Sequence, residues 1–365
     1  MKIIFRISYM GFGGAEQVFI SLAKQWLKEH QILFVTDKSV GASYETLQEL
    51  NIPVKSLECN RTFLSVLKFK KVIQGFNPDL ILSAYPDTNA ACILSAKLAR
   101  TKAKVVVSEH ASIVEHFSSK SQFTKKKVTA IVKYLYPLAD KVVAVSEGVM
   151  SDLIPLVKQP GKCTFIHNPI RFQAKNSCDI SKKSATSSEK FKLLAVGRVT
   201  PQKDYTTLLK AVAELKNRSV RASLTILGGT HDKTEMAKLS CLVNELDISD
   251  RVDFAGFSNN VVSFYSQADL FVLSSAWEGF GNVIVEALAF GLPVVSTDCR
   301  SGPREILESG KYGRLVPVGD HILLSEAICS EIISPSCSRS IRLKRAEDFS
   351  ENIVADRYFS LFLKL

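Results

Sequence analysis

Short apolar runs rich in β-branched residues alternate with longer amphipathic stretches along both halves of this 365-residue chain. Strands separated by helix-length segments predict βαβ units, because a parallel strand needs a crossover connection, usually a helix. The predicted strands are Ile3–Ser8, Ile32–Thr36, Leu80–Ser83, Val105–Ser108, Val142–Val145, Cys163–Ile166, Lys192–Val196, Ser223–Leu227, Arg251–Phe254, Leu270–Leu273, Val294–Ser296 and Arg314–Val316. The pattern predicts an α/β fold with two doubly wound, Rossmann-like domains, whose ligands lie at the carboxyl ends of the strands.

A polar segment between the two series of strands marks the predicted domain boundary. We expect an N-terminal domain over 1–171, a linker over 172–190, a second domain over 191–345, and a helical segment over 346–365 that packs back toward the first domain. The cleft between two such domains is the expected active site.

Several protein classes are disfavoured by the sequence. No apolar run reaches the ~18 residues of a membrane span, and the first apolar stretch is short and interrupted by Arg6, unlike a signal peptide. None of the eight cysteines forms a CxxC pair, which argues against a zinc or redox site. We therefore expect a cytoplasmic protein with reduced thiols.

The positive charge is confined to the first half. Residues 1–175 contain 24 lysines and arginines against 13 acidic residues, a net charge of +11, whereas residues 176–365 contain 23 of each. Such an excess predicts an anionic partner. A nucleic acid is disfavoured because no recognition module accompanies the charge.

A basic amphipathic stretch suggests what that partner is. Its lysines are Lys120, Lys125, Lys126, Lys127 and Lys133, interleaved with Phe117, Phe123, Val128, Ile131, Tyr134 and Leu135. This pattern predicts docking on an anionic membrane surface, with the protein peripheral on the inner face of the cell membrane. The alternative is a helix face that only contacts water.

A glycine-rich turn follows the first strand. Gly11, Gly13 and Gly14 precede an amphipathic helix, and backbone amides at such a turn can bind an anion. A dinucleotide fingerprint with Asp37 on the ribose fails because Glu16 replaces the third glycine, and no Walker loop is present. A tight turn without a ligand remains an alternative.

The second half carries more specific signals. Gly197, Arg198 and Lys203 surround the end of a predicted strand, where two cations suit a diphosphate. The alternative is two surface cations that contact only water. Glu278 and Glu286 flank a loop with two glycines and the start of a helix closed by Gly291. Both carboxylates can face one ligand there, and the first amides of the helix can donate to a phosphate.

Taken together, these motifs resemble the retaining glycosyltransferases of family 4, the group 1 glycosyl transferases. The resemblance is carried by Gly13-Gly14-Ala15-Glu16, Gly197-Arg198 with Lys203, Glu278 and Glu286, Phe254-Ala255-Gly256-Phe257, and the segment EALAFGLPVVSTDCRSGPREIL. It is strongest over about 190–320. It implies the GT-B architecture, in which the first domain binds the acceptor and the second domain the nucleotide sugar.

The resemblance also implies roles for individual residues. Arg198 and Lys203 would hold the diphosphate, Glu286 the ribose, and Glu278 a hydroxyl of the donor sugar, which His110 would also contact. The catalytic residues implied are thus His110, Glu278, Arg198 and Lys203. The implied nucleotide- and donor-binding residues are Gly14, Gly256, Phe257, Gly279, Phe280, Gly281, Asn282 and Glu286.

The implied activity is metal-independent, cofactor-free hexosyl transfer with retention, from a nucleoside-diphosphate sugar, expected to be a UDP-sugar, to a lipid-linked or oligosaccharide acceptor. The expected process is the biosynthesis of a cell-surface polysaccharide such as lipopolysaccharide or capsule. Two alternatives remain: another GT-B enzyme that uses nucleotide sugars, such as an epimerase, and a non-catalytic relative that binds a sugar or a lipid.

Overall fold

The computed structural model describes residues 1–11, 13–39, 41, 43–116, 121–170, 190–230 and 232–365. The predicted linker, apart from Lys190, lies outside the described residues, as do Phe12, Phe117 and Lys120. The described residues divide into two compact units. The first unit comprises Met1–Pro169 and Glu351–Leu365, and the second unit comprises Ile170–Ser350.

Each unit is built on one parallel sheet. The strands of the first unit are β1 (Lys2–Arg6), β2 (Gln31–Thr36), β3 (Val54–Ser56), β4 (Leu80–Ala84), β5 (Lys104–Glu109), β6 (Lys141–Ala144) and β7 (Cys163–Phe165). Their order across the sheet is β3-β2-β1-β4-β5-β6-β7. The strands of the second unit are β8 (Phe191–Val196), β9 (Ala222–Leu227), β10 (Val252–Gly256), β11 (Leu270–Leu273), β12 (Val294–Thr297) and β13 (Arg314–Val316), in the order β10-β9-β8-β11-β12-β13. All neighbouring strands run parallel.

Helices connect the strands. In the first unit they are α1 (Gly14–Trp26), α2 (Tyr44–Glu49), α3 (Val66–Phe76), α4 (Pro86–Ala99), α5 (Ile113–His116), α6 (Gln122–Ala130) and α7 (Glu147–Val157). In the second unit they are α8 (Tyr205–Asn217), α9 (Lys233–Glu245), α10 (Val261–Gln267), α11 (Asn282–Ala289), α12 (Pro303–Ile306), α13 (His321–Ile333) and α14 (Arg339–Glu347). Helix α15 (Glu351–Phe362) returns to the first unit. Short 3₁₀ turns occur at Thr62–Ser65, Tyr136–Leu138, Pro160–Lys162, Pro201–Lys203 and Glu308–Gly310, and a π-helical segment at Ile131–Leu135.

Buried apolar side chains fill both faces of each sheet, as the crossover helices require. In the first unit Phe5 stacks on Phe34 with ring centroids 4.9 Å apart, and α1 packs Phe19 against the same cluster. In the second unit β8, β9 and α8 pack together around Leu208 and Leu224. In both sheets the carboxyl ends of the strands open into the turns that carry the predicted site residues.

Helix α15 completes the core of the first unit by packing on α1. The rings of Trp26 and Phe362 meet edge to face with centroids 5.6 Å apart. The hydroxyl of Ser21 donates to the carboxylate of Glu351 over 2.7 Å. Within the described residues no helix has both the length and the apolar character to cross a membrane.

Candidate functional site

In the second unit, the turn after β8 positions two cations differently. Arg198 is exposed, whereas Lys203 ends a 3₁₀ turn and its side chain is 14% exposed. A Cβ atom on Gly197 would lie 2.5 Å from Cε of Lys203, so only glycine lets the lysine fold back over the strand end. The hydroxyl of Tyr205 donates to the carbonyl of Gly197 over 2.9 Å and fixes this turn.

Lys203 reaches Glu278, which follows the neighbouring strand β11. Nζ of Lys203 lies 2.6 Å from Oε1 of Glu278, and the Ser275 hydroxyl donates to the same oxygen over 2.7 Å. The carboxylate is 9% exposed, so it needs both partners to offset the loss of hydration. Because an ammonium has three donors, Lys203 can hold Glu278 and still donate to a ligand.

The loop that carries Glu278 is fixed by further hydrogen bonds to the β8 turn and to β12. The amide of Ala276 donates to the carbonyl of Gln202 over 2.9 Å, and the Gln202 side chain donates to the carbonyl of Trp277 over 3.0 Å. The Thr297 hydroxyl donates to the carbonyl of Ser275 over 2.6 Å. Three strand ends thus hold the carboxylate in place.

Glu286 lies in the second turn of α11, where it is half-buried. The hydroxyl of Tyr265 donates to Oε2 of Glu286 over 2.8 Å. Burial and the nearby Glu286 charge raise the pKa of Tyr265 well above its usual value, so the phenol keeps its proton. Phe290 stacks on Tyr265 with ring centroids 5.2 Å apart and supports it.

The glycine-rich loop before α11 places backbone rather than side chains at the strand end. Gly281 has a φ of +94° and begins the helix without a side-chain cap, whereas the Phe280 ring is buried against Phe349. A Cβ atom on Gly302 would lie 1.7 Å from the Phe280 carbonyl oxygen, so the next loop also requires a glycine. Gly279 is buried and Asn282, the first residue of α11, is half-buried.

Strand β10, which forms the edge of the second sheet next to β9, ends at Gly256, and this glycine has a φ of +67°. The next residue, Phe257, is 63% exposed. A cavity of about 600 Å³ lies beside this part of the sheet and is lined by Arg198, Thr200, Thr230, Asp232, Lys233 and Thr234. Arg198 therefore faces open space at the carboxyl edge of the sheet.

In the first unit, Gly14 is the first residue of α1 and Glu16 lies in the same helical turn. The Tyr85 hydroxyl donates to Oε2 of Glu16 over 2.9 Å. A Cβ atom on Gly13 would lie 2.3 Å from that oxygen, so a side chain at this position would displace the Glu16 carboxylate. Tyr85 itself has a φ of +74°, a conformation that residues other than glycine rarely adopt.

His110 follows β5 at the same edge. Its Nε2 lies 3.0 Å from the Ser108 hydroxyl oxygen, and its ring lies 6.4 Å from that of Tyr85. Burial lowers the pKa of His110 to about 3, so the imidazole is neutral at physiological pH. Its Nδ1 is buried and has no hydrogen-bond partner among the described residues. A neutral ring of this kind can bind a hydroxyl, but it does not supply a positive charge.

Glu109, next to His110, belongs to a buried network that sequence reasoning missed. Its carboxyl accepts hydrogen bonds from Tyr136 and from Asn89, the latter over 3.1 Å, and Ser83 donates to Asn89 over 2.7 Å. Burial raises the pKa of Glu109 to about 7. The network ties β4, α4 and the segment after α6 to the strand that ends in His110.

Asp37, weighed above as a ribose ligand, is engaged elsewhere. Its carboxylate forms a buried ion pair with Arg6 and accepts a hydrogen bond from the Thr62 hydroxyl over 2.7 Å. Arg6 also donates to the Ser65 hydroxyl over 2.9 Å. The carboxylate thus holds the segment after β3 in place, which removes the dinucleotide alternative.

The structure therefore gathers Lys203 with Glu278, and Tyr265 with Glu286, at the carboxyl edge of the second sheet, with Arg198 and Phe257 exposed along that edge. Gly14 and His110 lie at the corresponding edge of the first sheet. The supporting hydroxyls of Ser275 and Tyr265 had no assigned role in the sequence, because they act only through partners distant in the chain.

Comparison with known proteins identifies the family. The model of the group 1 glycosyl transferases matches residues 177–353, and that of glycosyltransferase family 4 matches residues 12–173. A curated relative from Campylobacter jejuni is 30% identical over 325 residues, which cover 85% of this chain and 84% of the relative. It is named N-acetylgalactosamine-N,N'-diacetylbacillosaminyl-diphospho-undecaprenol 4-alpha-N-acetylgalactosaminyltransferase. The amylovoran biosynthesis glycosyltransferase AmsD of Erwinia amylovora is 22% identical over 301 residues, 82% of this chain and 81% of AmsD.

Solved structures support the fold. HepE of Anabaena, solved in complex with UDP, matches with a TM-score of 0.83 and 21% identity over the full length of both chains. The lipopolysaccharide outer core galactosyltransferase WaaB matches with a TM-score of 0.79 and 21% identity, again over both full chains. The two parallel-sheet domains, the two family models and the Campylobacter relative agree with the resemblance in the motifs. The chain belongs to family 4 of the glycosyltransferases and has the GT-B fold.

Proposed function

We propose that this glycosyltransferase moves a sugar, with retention of anomeric configuration, from a UDP-sugar to a lipid-linked saccharide acceptor. The observation that carries the proposal is the arrangement at the carboxyl edge of the second sheet. There Lys203 and Arg198 supply positive charge, and Glu278 and Glu286 are held in fixed positions by hydroxyl donors. Such a set suits a ligand with a diphosphate between two hydroxyl-bearing groups.

Each side chain then has a distinct role. Arg198 and Lys203 stabilise the charge that develops on the departing diphosphate, which lowers the barrier directly. Glu286, oriented by Tyr265, accepts the ribose hydroxyls, and Glu278 accepts a hydroxyl of the donor sugar. Gly256 and Phe257 contact the nucleobase, and the backbone of Gly279, Phe280, Gly281 and Asn282 donates to the donor. His110 and Gly14, at the carboxyl edge of the first sheet, are assigned in this proposal to contacts with the donor sugar and the diphosphate.

Retention follows an internal-return route in this proposal. The diphosphate leaves, its oxygen takes the proton of the acceptor hydroxyl, and the acceptor attacks from the same face. No side chain has to act as a general base. The neutral His110 is consistent with this role, because it can hold a sugar hydroxyl but does not bring a competing charge.

The names of the relatives support the choice of donor and acceptor. HepE has been solved with UDP and with UDP-glucose, and the Campylobacter relative is named for a diphospho-undecaprenol substrate. LpsE of Rhizobium meliloti, 33% identical over 174 residues, is named for lipopolysaccharide core biosynthesis. We accordingly propose a role in cell-surface polysaccharide assembly, at the cytoplasmic face of a membrane.

The test is a panel of UDP- and GDP-sugars incubated with lipid-diphosphate-linked sugars, with products identified by mass spectrometry. A product heavier by one sugar, formed from a UDP-sugar and unaffected by EDTA, is the expected result. Release of free nucleotide with no acceptor product would indicate another use of nucleotide sugars. Failure of every nucleotide to bind would overturn the proposal in favour of a non-catalytic relative.

A further inference from the structure

Three neighbouring helices of the first unit form a basic face. Helix α3 packs along α4, and α4 contacts the π-helical segment that continues α6. Nζ of Lys127 on α6 lies 2.8 Å from a carboxylate oxygen of Asp87 at the start of α4. The strand order β1-β4-β5-β6 requires this arrangement, because these helices are the successive crossovers on that side of the sheet.

The charged side chains on these helices are basic with the single exception of Asp87. The sequences of α3 and α6 contain no acidic residue, and α4 contains only Asp87, which is paired with Lys127. The basic residues on the three helices are Lys68, Lys70, Lys71, Lys97, Lys125, Lys126 and Lys127. A surface of this kind complements a broad negatively charged surface better than a single anionic group.

Exposed apolar side chains lie at one end of the same face. Phe63, Leu64 and Leu67 are 73%, 64% and 65% exposed, whereas Ser65 and Val66 between them are buried. Sequence reasoning placed the apolar contact around Phe123. The structure shows that the start of α3 presents a second group of exposed apolar side chains.

This cluster is rigidly presented. The buried Arg6–Asp37 ion pair fixes the 3₁₀ turn Thr62–Ser65 by two hydrogen bonds. Asp37 accepts one from the Thr62 hydroxyl, and Arg6 donates the other to the Ser65 hydroxyl. Ser95 on α4 donates to the carbonyl of Val66 over 3.0 Å. Buried polar groups that hold an exposed apolar turn in one conformation reduce the entropy lost when the turn binds a partner.

We infer that Phe63, Leu64 and Leu67, together with the lysines of α3, α4 and α6, form a docking surface for an anionic lipid bilayer. The three apolar side chains enter the lipid, and the lysines contact the head groups. The inference rests on the proposed function, because docking serves an acceptor that is itself in the membrane. The turn lies beside Asp37, at the carboxyl edge of the sheet that also carries Gly14 and His110, so docking brings that edge to the lipid.

The experiment is flotation of the full chain with vesicles of equal parts phosphatidylglycerol and phosphatidylcholine, compared with phosphatidylcholine alone. The expected result is binding to the anionic vesicles that weakens with salt, because the Debye length falls from ~10 Å at 0.1 M to ~3 Å at 1 M. The variant F63S/L67S should bind the anionic vesicles at least roughly tenfold more weakly than the wild type. The triple change of Lys125, Lys126 and Lys127 to Ser should also weaken binding.

Ile333, 76% exposed in the second unit, gives a matched control, and I333S should bind vesicles as the wild type does. Affinity for UDP should be the same in all variants, which separates failure of docking from failure of the nucleotide site. A second probe is F63W, whose added indole fluorescence should shift to the blue and be quenched by brominated lipid, whereas that of I333W should not.

Three results would overturn the inference. The first is the absence of wild-type binding to the anionic vesicles at low salt. The second is wild-type binding by F63S/L67S. The third is a change in oligomeric state caused by F63S/L67S without lipid, together with unchanged vesicle binding, which would assign the surface to a second copy of the chain.

Discussion

Arg198 is the exposed cation at the end of β8, so its replacement tests transition-state charge without disturbing the core. We expect Arg198→Ala to lower turnover ~10²-fold or more, the scale for loss of a charge stabiliser, with an unchanged melting temperature. Lys192, exposed at the other end of the same strand, is the control, and Lys192→Ala should keep full turnover. Steady-state kinetics measure the turnover of both variants. Turnover of Arg198→Ala within threefold of wild type would contradict the assignment of Arg198 to the diphosphate site.

Lys203 needs a different design, because it is buried against Glu278. Lys203→Ala leaves the carboxylate without its cation, which should lower the free energy of unfolding by up to about 3 kcal/mol. Adding Glu278→Gln removes the uncompensated charge, so the double variant should recover much of that loss. Urea unfolding of the single and double variants measures the coupling, and strictly additive effects would contradict the pairing.

Glu278 and Glu286 should separate in nucleotide binding. Glu286→Ala should weaken binding of free UDP, whose ribose it contacts in the proposed site, whereas Glu278→Ala should spare UDP and impair transfer. Tyr265→Phe removes the 2.8 Å hydrogen bond and should reproduce part of the Glu286 effect. Calorimetric titration with UDP is the measurement, and equal losses in both alanine variants would refute the division of roles.

Two neighbouring groups of the first unit give opposite dependences of stability on pH. Glu109 has a folded pKa raised to about 7, so between its ordinary 4.5 and 7 the folded state holds a proton that the unfolded state has lost, and stability falls as pH rises. His110 has a folded pKa lowered to about 3 from 6.5, so its contribution rises with pH over that range. Each changes stability by up to about 1.4 kcal/mol per pH unit, and the two oppose each other where the ranges overlap.

Glu109→Gln keeps a neutral hydrogen-bonding side chain and leaves only the His110 contribution. Its free energy of unfolding should therefore rise from pH 4.5 to 6.5, whereas that of the wild type stays flatter. Denaturant titrations across this range measure the difference. Parallel curves for the two proteins would show that Glu109 does not hold its proton in the folded state.

At the scale of elements, the period and length of apolar runs were sufficient to predict twelve of the thirteen strands in the described part of the chain. The missed strand is β3, Val54–Ser56, whose three residues follow Pro53 and include the exposed Lys55. Such a strand has no recognisable period of its own. It forms because β2 offers a free edge, and this is a property of the sheet rather than of the segment.

The candidate site was likewise predicted only in part from the sequence. Glycines and charges at strand ends were readable from the sequence, because parallel strands bring their carboxyl ends to one edge. The contacts between them were not, since Lys203–Glu278 depends on β8 lying next to β11, and Arg6–Asp37 on β1 lying next to β2. Those pairings join residues distant in the chain, and no local pattern encodes them.

At the scale of the whole molecule, α15 belongs to the unit that begins at Met1. Deletion of residues 351–365 removes Tyr358 and Phe362 from the core and uncovers Trp26, so the first unit should unfold at a lower temperature. The second unit keeps its own core, so UDP binding should survive. Calorimetry with and without UDP separates the two transitions, and loss of both together would show that the units unfold as one.

The position of α15 also affects how the protein is made. A ribosome that adds about 5–20 residues per second completes the first sheet and then needs roughly 10–40 s to translate the second unit before α15 emerges. Throughout that interval the face of α1 that carries Trp26 lacks its partner helix, because α15 is translated only after the whole second unit. The nascent chain is therefore exposed to aggregation at this apolar face, and it is there that a chaperone would find a binding site on the growing polypeptide.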